Sequence, residues 1–138
     1  MSSESATSSN RSLKRNFKFS QQDVLEFARI SGDRNPLHLD SEFTKTTPFG
    51  KPIIHGMLSA SIFSKLLGME FPGTGTIYLE QSLKFHKPMF VDIEYVATLT
   101  LKSVENGIFK ISTEIHSNSG ELTLSGEATV LNRTTETV

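Results

Sequence analysis

The sequence predicts an α+β domain in which one antiparallel sheet curls around a single apolar helix. Three observations point there. Residues 56–67, Gly-Met-Leu-Ser-Ala-Ser-Ile-Phe-Ser-Lys-Leu-Leu, are apolar around most of a helical circumference and broken mainly by small serines, the pattern of a helix wrapped by other structure. The second half then changes period, with segments near 76–86, 91–104, 108–117 and 121–131 rich in β-formers and partly alternating, as in Tyr95-Val96-Ala97-Thr98-Leu99-Thr100-Leu101. Glu105-Asn106-Gly107 and Asn118-Ser119-Gly120 are short hairpin signals between these segments, so the strands are expected to be antiparallel neighbours.

Taken in order, a short strand is expected near Arg15 to Phe19. Ser20 followed three residues later by Asp23 opens a helix, and Val24, Leu25, Phe27, Ala28 and Ile30 form its stripe as far as Gly32. The turn from Asp33 to His38 leaves that helix. Asp40 or Ser41 caps a second short helix through about Thr46, after which Pro48, Gly50 and Pro52 impose a loop. The apolar helix follows from Gly56, with Gly68 as its terminator, and Lys87-Pro88 separates the first two long strands.

With 138 residues and 36% hydrophobic content, the chain has room for one core and not for two. Residues 14–132 are read as the domain, residues 1–13 as a disordered Ser- and Thr-rich tail, and residues 133–138 as a short second tail. The 14 basic and 15 acidic side chains leave a net charge of -1 without a long block of one sign, so nucleic acid is not an expected partner. The absence of cysteine rules out disulfides, a thiolate nucleophile and any cysteine-ligated metal. No apolar run approaches the roughly 20 residues a membrane helix needs, so membrane insertion is not expected. The N-terminal residues lack the apolar core of a secretory signal; a cytoplasmic location is expected, with an organelle such as the mitochondrion as the alternative because Arg11, Lys14 and Arg15 outnumber Glu4.

Gly32-Asp33-Arg34-Asn35-Pro36-Leu37-His38 is the stretch that reads as chemistry. A carboxylate that takes a proton and an imidazole that gives one are the minimum for concerted acid/base work near neutral pH. Asn35 supplies an amide that can orient one of them, and Pro36 stiffens the backbone between them. The competing reading makes Asp33 and Asn35 turn or capping residues and His38 an ordinary loop residue. A metal reading of Asp33, His38 and His55 is set aside, because their spacing matches no metal-binding signature. His86 and His116 lie in strand-like segments and are left out of the candidate site.

An aromatic residue, a short apolar step and then Gly-Asp-x-Asn-Pro-aliphatic-His, here Phe27 to His38, together with His55-Gly56 opening the apolar helix, resembles the MaoC-like hotdog hydratases, most closely the single-domain (R)-specific enoyl-CoA hydratases. The likeness runs from about Phe17 to Leu131; Thr44, where the family pattern carries alanine or serine, is a small departure. The resemblance implies a hotdog fold and reversible syn hydration of trans-2-enoyl thioesters to (3R)-3-hydroxyacyl thioesters. It implies no metal and no cofactor, the coenzyme A or phosphopantetheine being part of the substrate. It also implies Asp33 as the base that activates water and His38 as the group that exchanges the proton at the α-carbon. Asn35 would orient Asp33 and the water, the Gly56 N–H at the helix start would serve the thioester oxyanion, and Ser61 would support the pair from the helix. His55 is expected to shape the turn rather than to act as a second acid. The acyl pocket candidates, Met57, Leu58, Ile62, Phe63 and Leu66 of the helix with loop residues around Phe71 and Pro72, read more strongly as core. A homodimer joined at sheet edges is the expected assembly. A hotdog thioesterase and a non-catalytic acyl-binding module are the alternatives.

Overall fold

The computed structural model describes residues 11–134. The expected tails lie largely outside these residues, although the first strand already starts at Ser12, inside the stretch read as the N-terminal tail. The elements run β1 (Ser12–Phe17), α1 (Gln21–Ser31), α2 (Pro36–Leu39), α3 (Ser41–Thr44), α4 (Gly56–Met69), β2 (Ile77–Gln81), β3 (Lys84–Phe85), β4 (Tyr95–Glu105), β5 (Ile108–Ser117) and β6 (Leu122–Leu131). The strands form one antiparallel sheet in the order β1-β4-β5-β6-β2, with β3 also paired to β6. Among the described residues, no helix is long and apolar enough to cross a membrane.

The concave face of the sheet holds α4, which is the hotdog arrangement. Alternation along β4 buries Tyr95, Ala97, Leu99 and Leu101, which share a core with Ile111, Ile115, Leu124, Ala128 and Val130 of the neighbouring strands. Into that core α4 sends Leu58, Ile62, Phe63, Leu66 and Leu67. Burying an aliphatic or phenyl side chain contributes roughly 1.5–3 kcal/mol, so this one helix carries much of the domain's apolar stabilisation. Gly68 does not end it. The helix continues to Met69 with Gly68 outside the left-handed conformation that ends a helix, and one interior glycine costs only about 1 kcal/mol relative to alanine.

The segment expected as one strand near 76–86 is broken into β2 and β3. A Cβ on Gly126 of β6 would lie 1.8 Å from the Ser82 carbonyl oxygen, so the chain at Ser82 crosses β6 where only glycine fits. Ser82 is held there by hydrogen bonds to the Glu127 backbone in both directions: its N–H donates to the Glu127 carbonyl at 3.0 Å and its Oγ accepts from the Glu127 N–H at 2.9 Å. Strand β4 begins at Tyr95 rather than 91, after Asp92 adopts a positive φ of 61°. Thr44 is fully buried, and its hydroxyl donates to the Ser41 carbonyl at 3.1 Å, so the departure at this position is satisfied within α3.

Candidate active site

Helix α1 starts and stops as its sequence dictates. Ser20 and Asp23 form a reciprocal capping box, and Gly32 takes the left-handed conformation (φ 82°) that closes the helix, its N–H donating to the Ala28 carbonyl at 2.9 Å. The chain then makes two consecutive side-chain turns. Asp33 Oδ1 accepts from the Asn35 N–H at 3.2 Å, and Asn35 Oδ1 accepts from the Leu37 N–H at 3.0 Å. The second of these caps the one-turn helix α2, with Pro36 at its first position. Asn35 was expected to hold Asp33 through its side-chain amide; in the structure the main-chain N–H of Asn35 does so, and its side-chain carbonyl is occupied with the cap.

His38 lies on α2 and is buried, in contrast to the exposed Asp33. Its Nδ1 is 2.8 Å from the Ile53 carbonyl oxygen. A carbonyl only accepts, so Nδ1 carries the hydrogen and Nε2 is left for chemistry. Ile53 is itself registered by its N–H to the Leu37 carbonyl (3.0 Å), and Ile54 by its N–H to the Met89 carbonyl (2.8 Å). The loop that bears on His38 is therefore tied to α2 on one side and to the segment before β4 on the other.

His55 and Gly56 begin α4. His55 is the N-cap residue, yet its side chain makes no capping bond. Its ring stacks on His38 at 3.8 Å between centroids and 26° between planes, and its Nε2 donates to the Asp33 main-chain carbonyl at 3.0 Å. Gly56 occupies the first helical position, where backbone N–H groups have no intrahelical acceptor and the helix dipole is positive. His38, Gly56 and Ser59 open on a cavity of about 320 Å³ whose apolar wall includes Phe49, Ile53, Phe85, Met89 and Leu124.

Of the candidate residues, the structure sets the Asp33 carboxylate near the His38 ring, holds Asp33 through the Asn35 N–H, places His38 and Gly56 on one cavity, and leaves Ser61 elsewhere. The Ser61 hydroxyl donates to the Leu58 carbonyl at 2.6 Å, and the residue lines a separate cavity of about 510 Å³ with Phe27, Met57, Tyr78 and Leu79. Ser59 is the serine on the His38 side. Leu58, Ile62, Phe63 and Leu66 are core, and Met57 is exposed. Phe85, Met89 and Leu124 come from segments distant in sequence, and no local pattern marked them as cavity wall.

Ligand atoms of Asp33, His38 and His55 all lie within 4.8 Å of one another, a spacing a metal ion could use. Two of the four ring nitrogens are already bonded to backbone carbonyls, His38 Nδ1 and His55 Nε2. The arrangement favours acid/base work by a positioned carboxylate and imidazole beside a helix-start N–H.

Comparison with known proteins gives the family. The family model of the MaoC-like domain matches residues 3–121. An (R)-specific enoyl-CoA hydratase of Aeromonas caviae is 46% identical over 115 residues, 82% of this chain and 86% of that protein. A mitochondrial 3-hydroxyacyl-(acyl-carrier-protein) dehydratase of Solanum lycopersicum is 35% identical, over 86% of this chain and 73% of that protein. Among solved structures, an (R)-hydratase from A. caviae involved in PHA biosynthesis superposes with a TM-score of 0.85 at 43% identity, covering 88% of this chain and 94% of that one.

Proposed function

This chain belongs to the MaoC-like domain family, and from that premise we propose that it adds water reversibly, in syn fashion, across trans-2-enoyl thioesters to give (3R)-3-hydroxyacyl thioesters. The observation that carries the reading is the Asp33–His38 pair, whose carboxylate and ring nitrogen lie within 4.8 Å of each other and which is held by backbone hydrogen bonds, with His38 and the helix-start N–H of Gly56 on one cavity. Asp33 takes a proton from the water that attacks C3. His38, acting in this direction from its doubly protonated form, delivers a proton from Nε2 to C2 on the same face. Electron density arriving on the thioester oxygen is met by the Gly56 N–H, a type of contact worth about 3–4 kcal/mol of barrier. Water and two proton transfers balance the step, and the proton left on Asp33 returns to His38 through solvent.

The reaction moves no electrons between molecules, and the proposed machinery needs no cofactor beyond the carrier of the substrate itself. Coenzyme A and the phosphopantetheine arm of an acyl carrier protein present the same thioester, and both kinds of carrier appear in the names of similar proteins. Lys87 and His86 are among the residues that line the cavity. The compartment that fits is the cytoplasm or an organelle matrix such as that of the mitochondrion.

Purified protein mixed with crotonyl-CoA should bleach the enoyl-thioester absorbance and yield the (3R)-alcohol, with equal rates before and after dialysis against EDTA. Asp33→Asn and His38→Gln should each keep the fold and lose at least about 100-fold in turnover, the scale of a lost general acid or base. Near-normal rates in either variant would remove these residues from the roles assigned. Release of free thiol without a hydroxyacyl product would mark a thioesterase instead.

A further inference from the structure

The catalytic reading leaves one buried imidazole unused, and its contacts reach every part of the site. His55 is 2% exposed. One ring edge holds the Asp33 carbonyl through Nε2 (3.0 Å), one face stacks on His38 (3.8 Å between centroids), and Phe27 of α1 meets it edge-on at 4.8 Å. Its own backbone leads directly into Gly56.

We propose that His55 is a positioning residue, a spacer that fixes the separation and orientation of Asp33, His38 and the Gly56 N–H. This inference rests on the hydratase reading above and deepens it. The side chain does nothing for the helix it begins, because the N-cap position has no side-chain capping bond. Serine, threonine, aspartate and asparagine are the residues that stabilise a helix start, so a histidine that does not cap is retained at the expense of that stabilisation. Its Nδ1 is also buried without a hydrogen-bond partner, which the tautomer explains. Nε2 must carry the hydrogen to reach a carbonyl, and Nδ1 is then a lone pair facing no donor. A residue kept only for packing would carry neither of these costs. What the imidazole supplies in return is a rigid plane with a donor at its far corner. The plane fixes His38, whose other anchor is the Ile53 carbonyl, and the donor fixes the main chain from which the Asp33 carboxylate projects. The ionisable groups facing the ring are Asp33 and His38. Proton transfer to and from one substrate face tolerates little displacement, and an error of about 1 Å costs on the order of 100-fold.

Two substitutions in the full chain test this. His55→Asn supplies a favoured N-cap side chain, so the fold should persist by circular dichroism, but it removes the ring and falls short of the Asp33 carbonyl. It should lower kcat for crotonyl-CoA by about 10- to 100-fold with KM changed by less than about threefold, the signature of a contact that matters in the transition state. His55→Gln keeps an N–H donor near the position of Nε2 and should recover part of the loss. If folded His55→Asn kept kcat within about threefold of wild type while Asp33→Asn was inactive, the positioning role would fall and the hydratase reading would stand. A near-normal Asp33→Asn would overturn both. A loss in His55→Asn confined to KM, or a His55→Gln no better than His55→Asn, would also overturn the role.

Discussion

At Gly56 a single absent carbon shapes the site. A Cβ there would lie 2.8 Å from Phe85 Cε1 and 3.2 Å from Cδ1 and Cζ, so the ring occupies the space a side chain would take. Phe85 is 53% exposed and free to swing, and alanine is a better helix former than glycine, so Gly56→Ala should fold normally. The cost falls on the cavity, where ring and methyl crowd the proposed oxyanion donor; kcat/KM should fall by about 10- to 100-fold. Phe85→Ala in the same chain should restore part of the activity, and a double-mutant cycle reads that coupling. Additive effects would show that the two residues do not share the space. This contact joins residues far apart in sequence and was not legible there, whereas the proximity of Asp33 and His38 was, because the six residues from Asp33 to His38 hold both on one turn. The Ser59/Ser61 ambiguity has a geometric cause. Two residues rotate a helix by roughly 200°, and a helix apolar on nearly every side gives no phase by which to tell its serines apart.

Elements were easier to read than their joints. Capping residues and the apolar stripe placed α1, and α4 declared itself through composition, yet the break between β2 and β3 depends on Gly126 and Ser82 meeting across the sheet, which no window of sequence contains. The one-turn α2 was legible only as a turn, since Asn35 and Pro36 serve either. Because α4 sends Leu58, Ile62, Phe63, Leu66 and Leu67 into the core, Phe63→Ala at its fully buried centre should cost about 3–5 kcal/mol in denaturant unfolding; a change within experimental error would mean the core is not packed around that ring. The strands carry a spectroscopic reporter as well. Tyr78 on β2 and Tyr95 on β4 are the only tyrosines, and burial, which penalises the phenolate, pushes Tyr78 up to about 12 and raises Tyr95 despite the Phe90 N–H that favours its phenolate. Between pH 10 and about 12 the folded state therefore holds protons that the unfolded state has released, and stability falls as pH rises through that window. An alkaline absorbance titration should show both phenols ionising above 10 in the folded protein. A normal midpoint for either would remove the desolvation argument for that residue.

For the whole molecule, the open question is what covers the sheet's free edges. One edge is β1, which carries Lys14 and Arg15 on a strand of six residues, a device that discourages further pairing. The other is β2, and there Ile77, Tyr78 and Leu79 stand 56%, 40% and 49% exposed in succession. Tyr78 and Leu79 also wall the apolar cavity shared with Met57 and Phe27, so the bare edge continues onto a bare face beside α4. An unguarded apolar edge next to an apolar hollow is poorly suited to water, and a two-fold related copy would cover both at once by pairing β2 with β2. We therefore expect a homodimer in solution, with an interface above the roughly 1,000 Å² that a specific association needs. Light scattering behind size exclusion should give twice the chain mass at micromolar concentration, and Leu79→Lys, which sets like charges against each other across the two-fold, should give the monomer. A wild-type protein that runs as a monomer would overturn the dimer without removing the hydrogen bonds of Asp33 to the Asn35 N–H and His55 Nε2 or of His38 to the Ile53 carbonyl, which lie within one chain.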